Sequence, residues 1–543
     1  MSSFNAITYK LGVSTNGSSL PGTDYISAMV FYNASVPALW PTTGPSANVV
    51  KCYSKQDAIN AGLDGLHEDE TAAAATVLIT AVGATGDVLN IYSQELYGPP
   101  VLLCSYVQKS TDTTATILAA SMVVAINANK ANNGGYSATS STGTITITFR
   151  PGLGVIPNTG TPISTVATSG STFAVTITQP TGSSGTTLGV GSKWDIYYYH
   201  IHQYFDNNPG GILYVGIFPV VYTFTELQTI MGIATSANGP QYNQIGVYVD
   251  GHTFTTADIT TLEAIKVSMS ANHTPISILL QGDIHATADI GSLVNLSGLS
   301  GTGIGVLCGQ DGQGLGNLLY NAYGKSVGNL GAAMGVFSLG SVSSDFAQPI
   351  QSNNISTTAI GFPICVGGVI TTNSALENSV PAFANGQLFQ PIFSTAGTKL
   401  TQLDNYRWIY IGLYPGYTGT YFSENQTCTL SNASIAYLND DRVTNKIQRL
   451  LYPAYLPYLK SQITLTNTGA IAPTMIPVLT SAGQNALNVM LTNGELSATN
   501  VIINPLQNIT TSGKLVVTLY DVENAIARNI EIDINTVSAI PTV

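Results

Sequence analysis

Six histidines, His67, His200, His202, His252, His273 and His285, are the first residues to weigh for metal or acid–base chemistry. The sharpest pair is His200-Ile201-His202. On a helix, residues two apart point in different directions, so this pair would chelate only from a strand, and solvated or hydrogen-bonded histidines fit it better. His67 to Glu70, HEDE, sets three carboxylates beside an imidazole, donors enough for a weak cation site. It falls at a domain junction, where a solvated turn accounts for it. GQDGQGLG at Gly309 to Gly316 follows an apolar strand and precedes a helix, the setting in which glycine-rich loops cradle phosphate. Its glycines, Gly312, Gly314 and Gly316, do not have GxGxxG spacing, and no GK[ST] follows. Tight turn geometry explains them. No GxSxG elbow occurs and no Ser/His/Asp arrangement stands out. Asp440-Asp441 fits a helix start favoured by the macrodipole. The sequence thus names no catalytic residue, no metal ligand set and no cofactor, although an active site could still be assembled from residues distant in the chain.

The elements that would position such residues are built from an unusual composition. The chain has 543 residues, and 17 Lys+Arg with 29 Asp+Glu make only 8% charged side chains, against about 25% in ordinary soluble proteins. Thr, Ser, Asn, Gln and Gly replace the missing charge, so the surface is neutral and polar and prone to self-association. A net charge of -12 leaves no basic stripe for nucleic acid. The start, MSSFNAITYK, lacks a signal-peptide pattern, and no apolar run is long enough to span a membrane. Cys52, Cys104, Cys308, Cys365 and Cys428 are odd in number and form no CxxC pair, as expected of core residues in a reducing compartment.

Charge and pattern divide the chain. Residues 194–377 carry two basic and eleven acidic residues, whereas 378–543 carry eight and nine. From Thr71 to about Ser192, segments such as TVLITAVGATGDVLNIYSQ, TGTITITF and TFAVTITQ alternate with the period of half-buried strands. One helix interrupts them at TATILAASMVVAINANKAN, with Ile117, Ala120, Met122, Val124 and Ile126 on an apolar segment. After Ser192 helices and continuously apolar strands alternate, which predicts α/β layering with strands buried on both faces. KWDIYYYHIHQYFDNNPGG feeds ILYVGIF, FTELQTIMGIA feeds IGVYVDG, TTADITTLEAIKVSMSAN feeds PISILLQGDI, ATADIGSLVNLSGL feeds GIGVLCGQDG, and a glycine-rich helix follows. YISAMVFY and KQDAINAGL begin the same unit upstream. From about Gly386 the pattern is α+β: a strand at WIYIGLYPGYTGTYFS, an amphipathic helix NDDRVTNKIQRLLY capped by Asn439 or Asp440, a helix around AGQNALNVMLTNG, and closing strands. Arg442, Lys446 and Arg449 line one face of the first of these helices at helical spacing, and Pro453 and Pro457 end or kink it. The fold class is α/β and α+β multidomain: a layered α/β core, an α+β C-terminal domain, and an inserted β-rich, sandwich-like domain with one helix. Both chain ends alternate like strands on flexible tethers, with Ile7 and Tyr9 at one and Ile530, Ile532 and Ile534 at the other.

YHIHQYFDNNPGGILYVGIF, YRWIYIGLYPGYTGTYFSENQTC, NDDRVTNKIQRLLYPAYLPYL and NGELSATNVIINPLQNI resemble the sheath subunit of contractile phage tails and related injection devices. The resemblance spans Tyr25 to Leu66 and Lys193 to Val543, and the insertion resembles a small module of phage structural proteins. It implies an N-terminal arm at 1–24, an α/β sheath core at 25–67 and 193–385, an outer insertion at 68–192, a tube-proximal domain at 386–527 and a C-terminal arm at 528–543. It further implies stacked rings of neighbouring sheath subunits around a tail tube protein, with baseplate and tail terminator proteins as partners, in a virion assembled in the host cytoplasm. Contraction would drive the tube through a cell envelope, so the resemblance implies a protein that is not an enzyme and needs no cofactor, with no nucleic acid or membrane insertion. Ile7, Tyr9, Ile530, Ile532 and Ile534 would then be assembly arms shared with neighbours, and Arg442, Lys446 and Arg449 would face the tube. Two other classes fit parts of the sequence: a surface-layer or adhesin-like protein, which lacks its secretion signal here, and a nucleotide-dependent α/β enzyme, which lacks its phosphate loop.

Overall fold

A strand covered on both faces has no solvent side, and ISAMVFY is apolar except for Ser27. It forms β1 (Ile26–Tyr32), buried at every position. The computed structural model describes residues 24–32, 36, 37, 39–63, 72–94, 100–129, 136–149, 156–158, 160–181, 191–218, 222–236, 241–249, 255–282, 294–309, 328–347, 403–412, 421–528 and 530–532. After β1 come β2 (Val49–Cys52) and the short α1 (Lys55–Asn60). Asp57 starts α1 by accepting the Ser54 N–H at 2.9 Å, satisfying a donor that has no partner within the helix.

The insertion follows as β3 (Ala74–Ala81), β4 (Val88–Ser93), β5 (Val101–Val107), α2 (Ala115–Ala128), β6 (Ser137–Ser141), β7 (Thr144–Thr148), β8 (Ile163–Ala167) and β9 (Ala174–Thr178). Its strands make a four-stranded sheet, β6-β7-β3-β9, and a three-stranded sheet, β5-β4-β8, and none pairs with the core sheet. Alternation does the sorting: Ile145 and Ile147 of TITIT are buried while the threonines between them are half-exposed. α2 covers both sheets with Leu118, Ala119, Met122 and Ile126. The expected apolar segment is therefore split, since Ile117 and Val124 lie on the exposed side.

The core resumes with α3 (Gly191–Asn207), β10 (Ile212–Phe218), α4 (Glu226–Thr235), β11 (Gln244–Val249), α5 (Thr256–Ala271), β12 (Ser277–Gln281), β13 (Ile304–Leu307), α6 (Leu330–Leu339) and β14 (Trp408–Ile409). Seven strands form one sheet in the order β14-β13-β12-β11-β1-β10-β2. All neighbours are parallel except the edge pair β10 and β2. β1 lies between β10 and β11, so the sheet is wound outward from it in both directions, and the helices between strands cover its faces. The helix expected at ATADIGSLVNLSGL falls largely outside the described residues. α6 packs on α3 so closely that a Cβ at Gly331 would lie 2.1 Å from the His200 carbonyl oxygen. Only glycine fits there.

The C-terminal part comprises β15 (Ile411–Gly412) paired with β16 (Tyr421–Phe422), then α7 (Leu438–Tyr455), α8 (Met475–Thr492), β17 (Ala498–Ile502), α9 (Ile509–Ser512) and β18 (Thr518–Val522). β14 pairs with β13, so the strand at WIYIG begins in the core sheet. α7 is capped at Tyr437, whose N–H goes to Asp440 at 3.2 Å, two to three residues ahead of the expected cap at Asn439 or Asp440. Pro453 sits within the last turn of α7, and a 3-10 turn at Leu456–Tyr458 follows, so the proline marks an ending and not a break.

Candidate functional site

Eight of the ten positions from Asn439 to Gln448 of α7 are polar. Asn439, Asp440, Asp441, Arg442, Asn445, Lys446 and Gln448 are all buried, in a chain that is otherwise short of charge. The reason is where α7 lies: its partners sit at the amino ends of the parallel strands, opposite the carboxyl ends where α/β sheets hold ligands. Asp441 accepts from the Ser277 hydroxyl, at the first residue of β12, at 2.6 Å, from Lys266 of α5 at 2.6 Å and from Asn445 at 2.9 Å. Gly303, immediately before β13, has φ +70, and a Cβ there would lie 2.1 Å from the Asp441 carboxyl carbon. The carboxylate is thus seated against bare backbone.

Two further clusters grip α7. Asp24, just ahead of β1, holds Lys446 at 2.6 Å and Arg449 at 2.9 Å, and its carbonyl accepts from Gln244 at the start of β11 at 3.0 Å. Lys446 also reaches Glu495 at 2.5 Å, while the other Glu495 oxygen is buried with no hydrogen-bond partner among the described residues. Arg442 donates to the carbonyls of Ser341 and Gly340 at the end of α6, at 3.0 and 3.2 Å, and stands over the Phe337 ring. At the other end of the helix, Arg528 pairs with Asp345 at 2.7 Å and with Glu424, donates to Asn439 at 3.3 Å, and lies 3.3 Å from the centre of the Tyr437 ring.

Burial and pairing pull these groups apart. Burial would raise the Asp24 pKa, but Arg449 and Lys446 outweigh it and hold the carboxyl below its ordinary value. Glu495 goes the other way: burial pushes it to about 8, and Lys446 offsets only part of that. Asp345 is pushed to about 8 by burial and by Glu424, against the pull of Arg528. Burial lowers Arg442 to about 10. Buried ion pairs of this kind add little net stability over apolar packing, but breaking one is costly, so they fix geometry more than they add stability. The site is a lock between elements, with no nucleophile and base set for reaction among its described residues.

The three basic residues expected to face the tube take part in these contacts. Arg442, Lys446 and Arg449 share a helix face, as their spacing requires, but that face is turned inward onto Asp24, Glu495 and the end of α6. Of the assembly-arm residues, Ile7, Tyr9 and Ile534 lie outside the described residues, while Ile530 and Ile532 are 75% and 74% exposed and belong to no strand. His200 is fully buried, accepts the Gly331 N–H at 3.3 Å and is driven to about 3 by burial, whereas His202 turns to Asp206 at 2.6 Å and to Lys55. The two histidines point apart, as a helix demands. His67 and Gly312 to Gly316 lie outside the described residues. Among the described residues no group of three or more His, Cys, Asp or Glu side chains is placed to hold a metal ion, and no helix is long and apolar enough to cross a membrane. Cys52, Cys104, Cys308 and Cys428 are buried free thiols, with burial pushing Cys104 to about 11. Asp24, Lys266, Asp345, Glu495 and Arg528 escaped the sequence reading. The only available signal was the crowding of charge into one helix of a charge-poor chain.

Residues 436–540, under a fifth of the chain, match the family model described as DUF2586, C-terminal domain. The match begins next to the α7 cap. A solved structure of the anti-feeding prophage baseplate, 6-fold symmetrised, is 12% identical with a TM-score of 0.36, over 62% of this chain and 80% of that one. The comparison with curated proteins finds no match.

Proposed function

We propose that the chain is a non-catalytic structural subunit of a phage-type particle, and specifically of a contractile tail sheath that polymerises around a tail tube. The observation that carries this is the sheet formed by β17 and β18. It has only two strands, and neither outer edge pairs with another strand among the described residues. Its inner face packs on α8, while Ile502, Tyr520 and Val522 stand exposed on the outer one. An isolated two-stranded sheet is marginal in water, and an open edge invites a further strand. A strand donated by a neighbouring copy would satisfy both needs, and the exposed Ile530 and Ile532 have the alternation to supply it. The resemblance of the quoted segments to sheath subunits supports the same reading, as do its implied partners: copies of itself, a tail tube protein, and baseplate and terminator proteins. The carboxyl end of β1 favours a non-catalytic role, because Tyr32 there is packed by Phe218, Tyr222 and Phe224 and donates to Glu226 at 3.1 Å. Aromatic side chains occupy the place where a nucleotide would sit in such a sheet.

Electron microscopy of the purified protein tests the proposal. Long hollow tubes are expected from the full chain, and folded but dispersed particles after removal of 1–17 or of 530–543, a cut that spares Arg528. Planar arrays from the full chain, or ordered tubes from either truncation, would overturn it.

A further inference from the structure

The Asp24 and Arg528 clusters share one partner. Asp24 stands two residues ahead of β1 and is held by Lys446 and Arg449 in the carboxyl half of α7. Arg528 lies six residues beyond β18 and is held over the amino end of α7 by Tyr437 and Asn439, with Asp345 and Glu424 closing around it. Seven to twelve residues of helix separate the two grips, roughly 10–18 Å at 1.5 Å per residue. Between them Asp441 is pinned to α5 and β12, so α7 cannot slide past one cluster without straining the other. Side chains that crystallise a helix in place at three points leave it one arrangement at a time, and packed polar interfaces exchange between discrete arrangements.

We propose that α7 is a strut coupling the two ends of the subunit: the Asp24 and Arg528 clusters bind the roots of the N-terminal and C-terminal segments to a single rigid element, so that displacing one root displaces the other. The inference builds on the reading of the chain ends as strands shared with neighbours, and it gives that reading a path through the subunit. A pull arriving at one end reaches the other through α7 and not through the seven-stranded sheet. Charge suits this role better than apolar packing, because Arg and Lys pairs hold a defined geometry and can re-form after separation in water.

The test is amide hydrogen exchange on the unassembled full-length protein, comparing wild type, Asp24→Asn, Arg528→Met and the double variant. Groups more than 7–10 Å apart with no shared partner act additively, so any coupling reports α7. Asp24→Asn should speed exchange by about fivefold or more at 523–528 as well as at its own site, and Arg528→Met should do the same at 24–26. The double variant should fall short of the product of the two. Exchange that rises only beside each substitution, with the double variant equal to that product, would overturn the proposal. If Arg528→Met does not fold, Arg528→Lys keeps the charge but loses the two-sided grip, and the same pattern is expected at smaller size. Because no assembly is needed, failure here leaves the shared-strand reading intact, whereas tubes formed by the trimmed chains would sink that reading and leave the strut standing.

Discussion

Glu495 carries the clearest consequence at the scale of single residues. It is wholly buried, one oxygen is on Lys446 and the other has no described partner. Its pKa, about 8 against an ordinary 4.5, is raised by burial more than Lys446 lowers it. A group raised in the folded state binds its proton more tightly there than in the unfolded chain. Its contribution is therefore full below pH 4.5 and is lost as the pH climbs through about 8. Asp24, held below its ordinary value, has the opposite sign and loses its contribution only as the pH falls. Glu495→Gln should match wild type near pH 5 and exceed it near pH 9, by on the order of a few kcal/mol, in denaturant unfolding monitored at both pH values. A wild type that gains on the variant as pH rises would show that the ion pair with Lys446 dominates. The difference between the two proteins isolates Glu495 from Asp345, whose carboxyl is also raised.

Elements differ in how much of them the sequence discloses. ILYVGIF and IGVYV are apolar along their whole length and PISILL is interrupted only by Ser277, and that alone places β10, β11 and β12 inside a two-sided sheet. β6 and β8, SATSS and ISTVA, have no such signature, because at an edge few of their residues need to be buried. The inward turn of α7 was illegible for a different reason. A stripe of Arg442, Lys446 and Arg449 looks the same on a solvated face as on a face paired with Asp24, more than 400 residues away in sequence. The glycine-rich character of α6 was visible, but not its use, which is contact with the α3 backbone. Gly331→Ala should cost about 1–3 kcal/mol or more, since the new methyl would meet the His200 carbonyl. Gly232→Ala on α4, where nothing lies within 4 Å, should instead stabilise by roughly 0.5–1 kcal/mol. Thermal unfolding of the two variants decides it. Equal shifts would mean that α6 can move away from α3 without loss.

Taken whole, the molecule consists of a parallel core, a charged strut across one end of it, and an insertion whose strands pair only with one another. The core is interrupted between α1 and α3, yet β1 pairs with β10 in unbroken register from Ile26–Ile212 to Tyr32–Phe218, so the chain closes the same sheet on either side of the excursion. Such a register is set by backbone hydrogen bonds and apolar burial within the core strands themselves. It does not need the insertion to enforce it. Closing the chain across a long excursion costs entropy that grows only slowly with its length, so a short linker would impose no greater cost. Replacing 69–191 by a Gly/Ser joint long enough to span from α1 to α3 should therefore leave the core folded and, on the reading of the chain as a sheath subunit, still able to form tubes. Circular dichroism and electron microscopy of the deletion check the two halves of that expectation in turn. A folded protein that no longer assembles would make the insertion part of the contact between copies, and an unfolded one would show that the core relies on α2 and its sheets for burial.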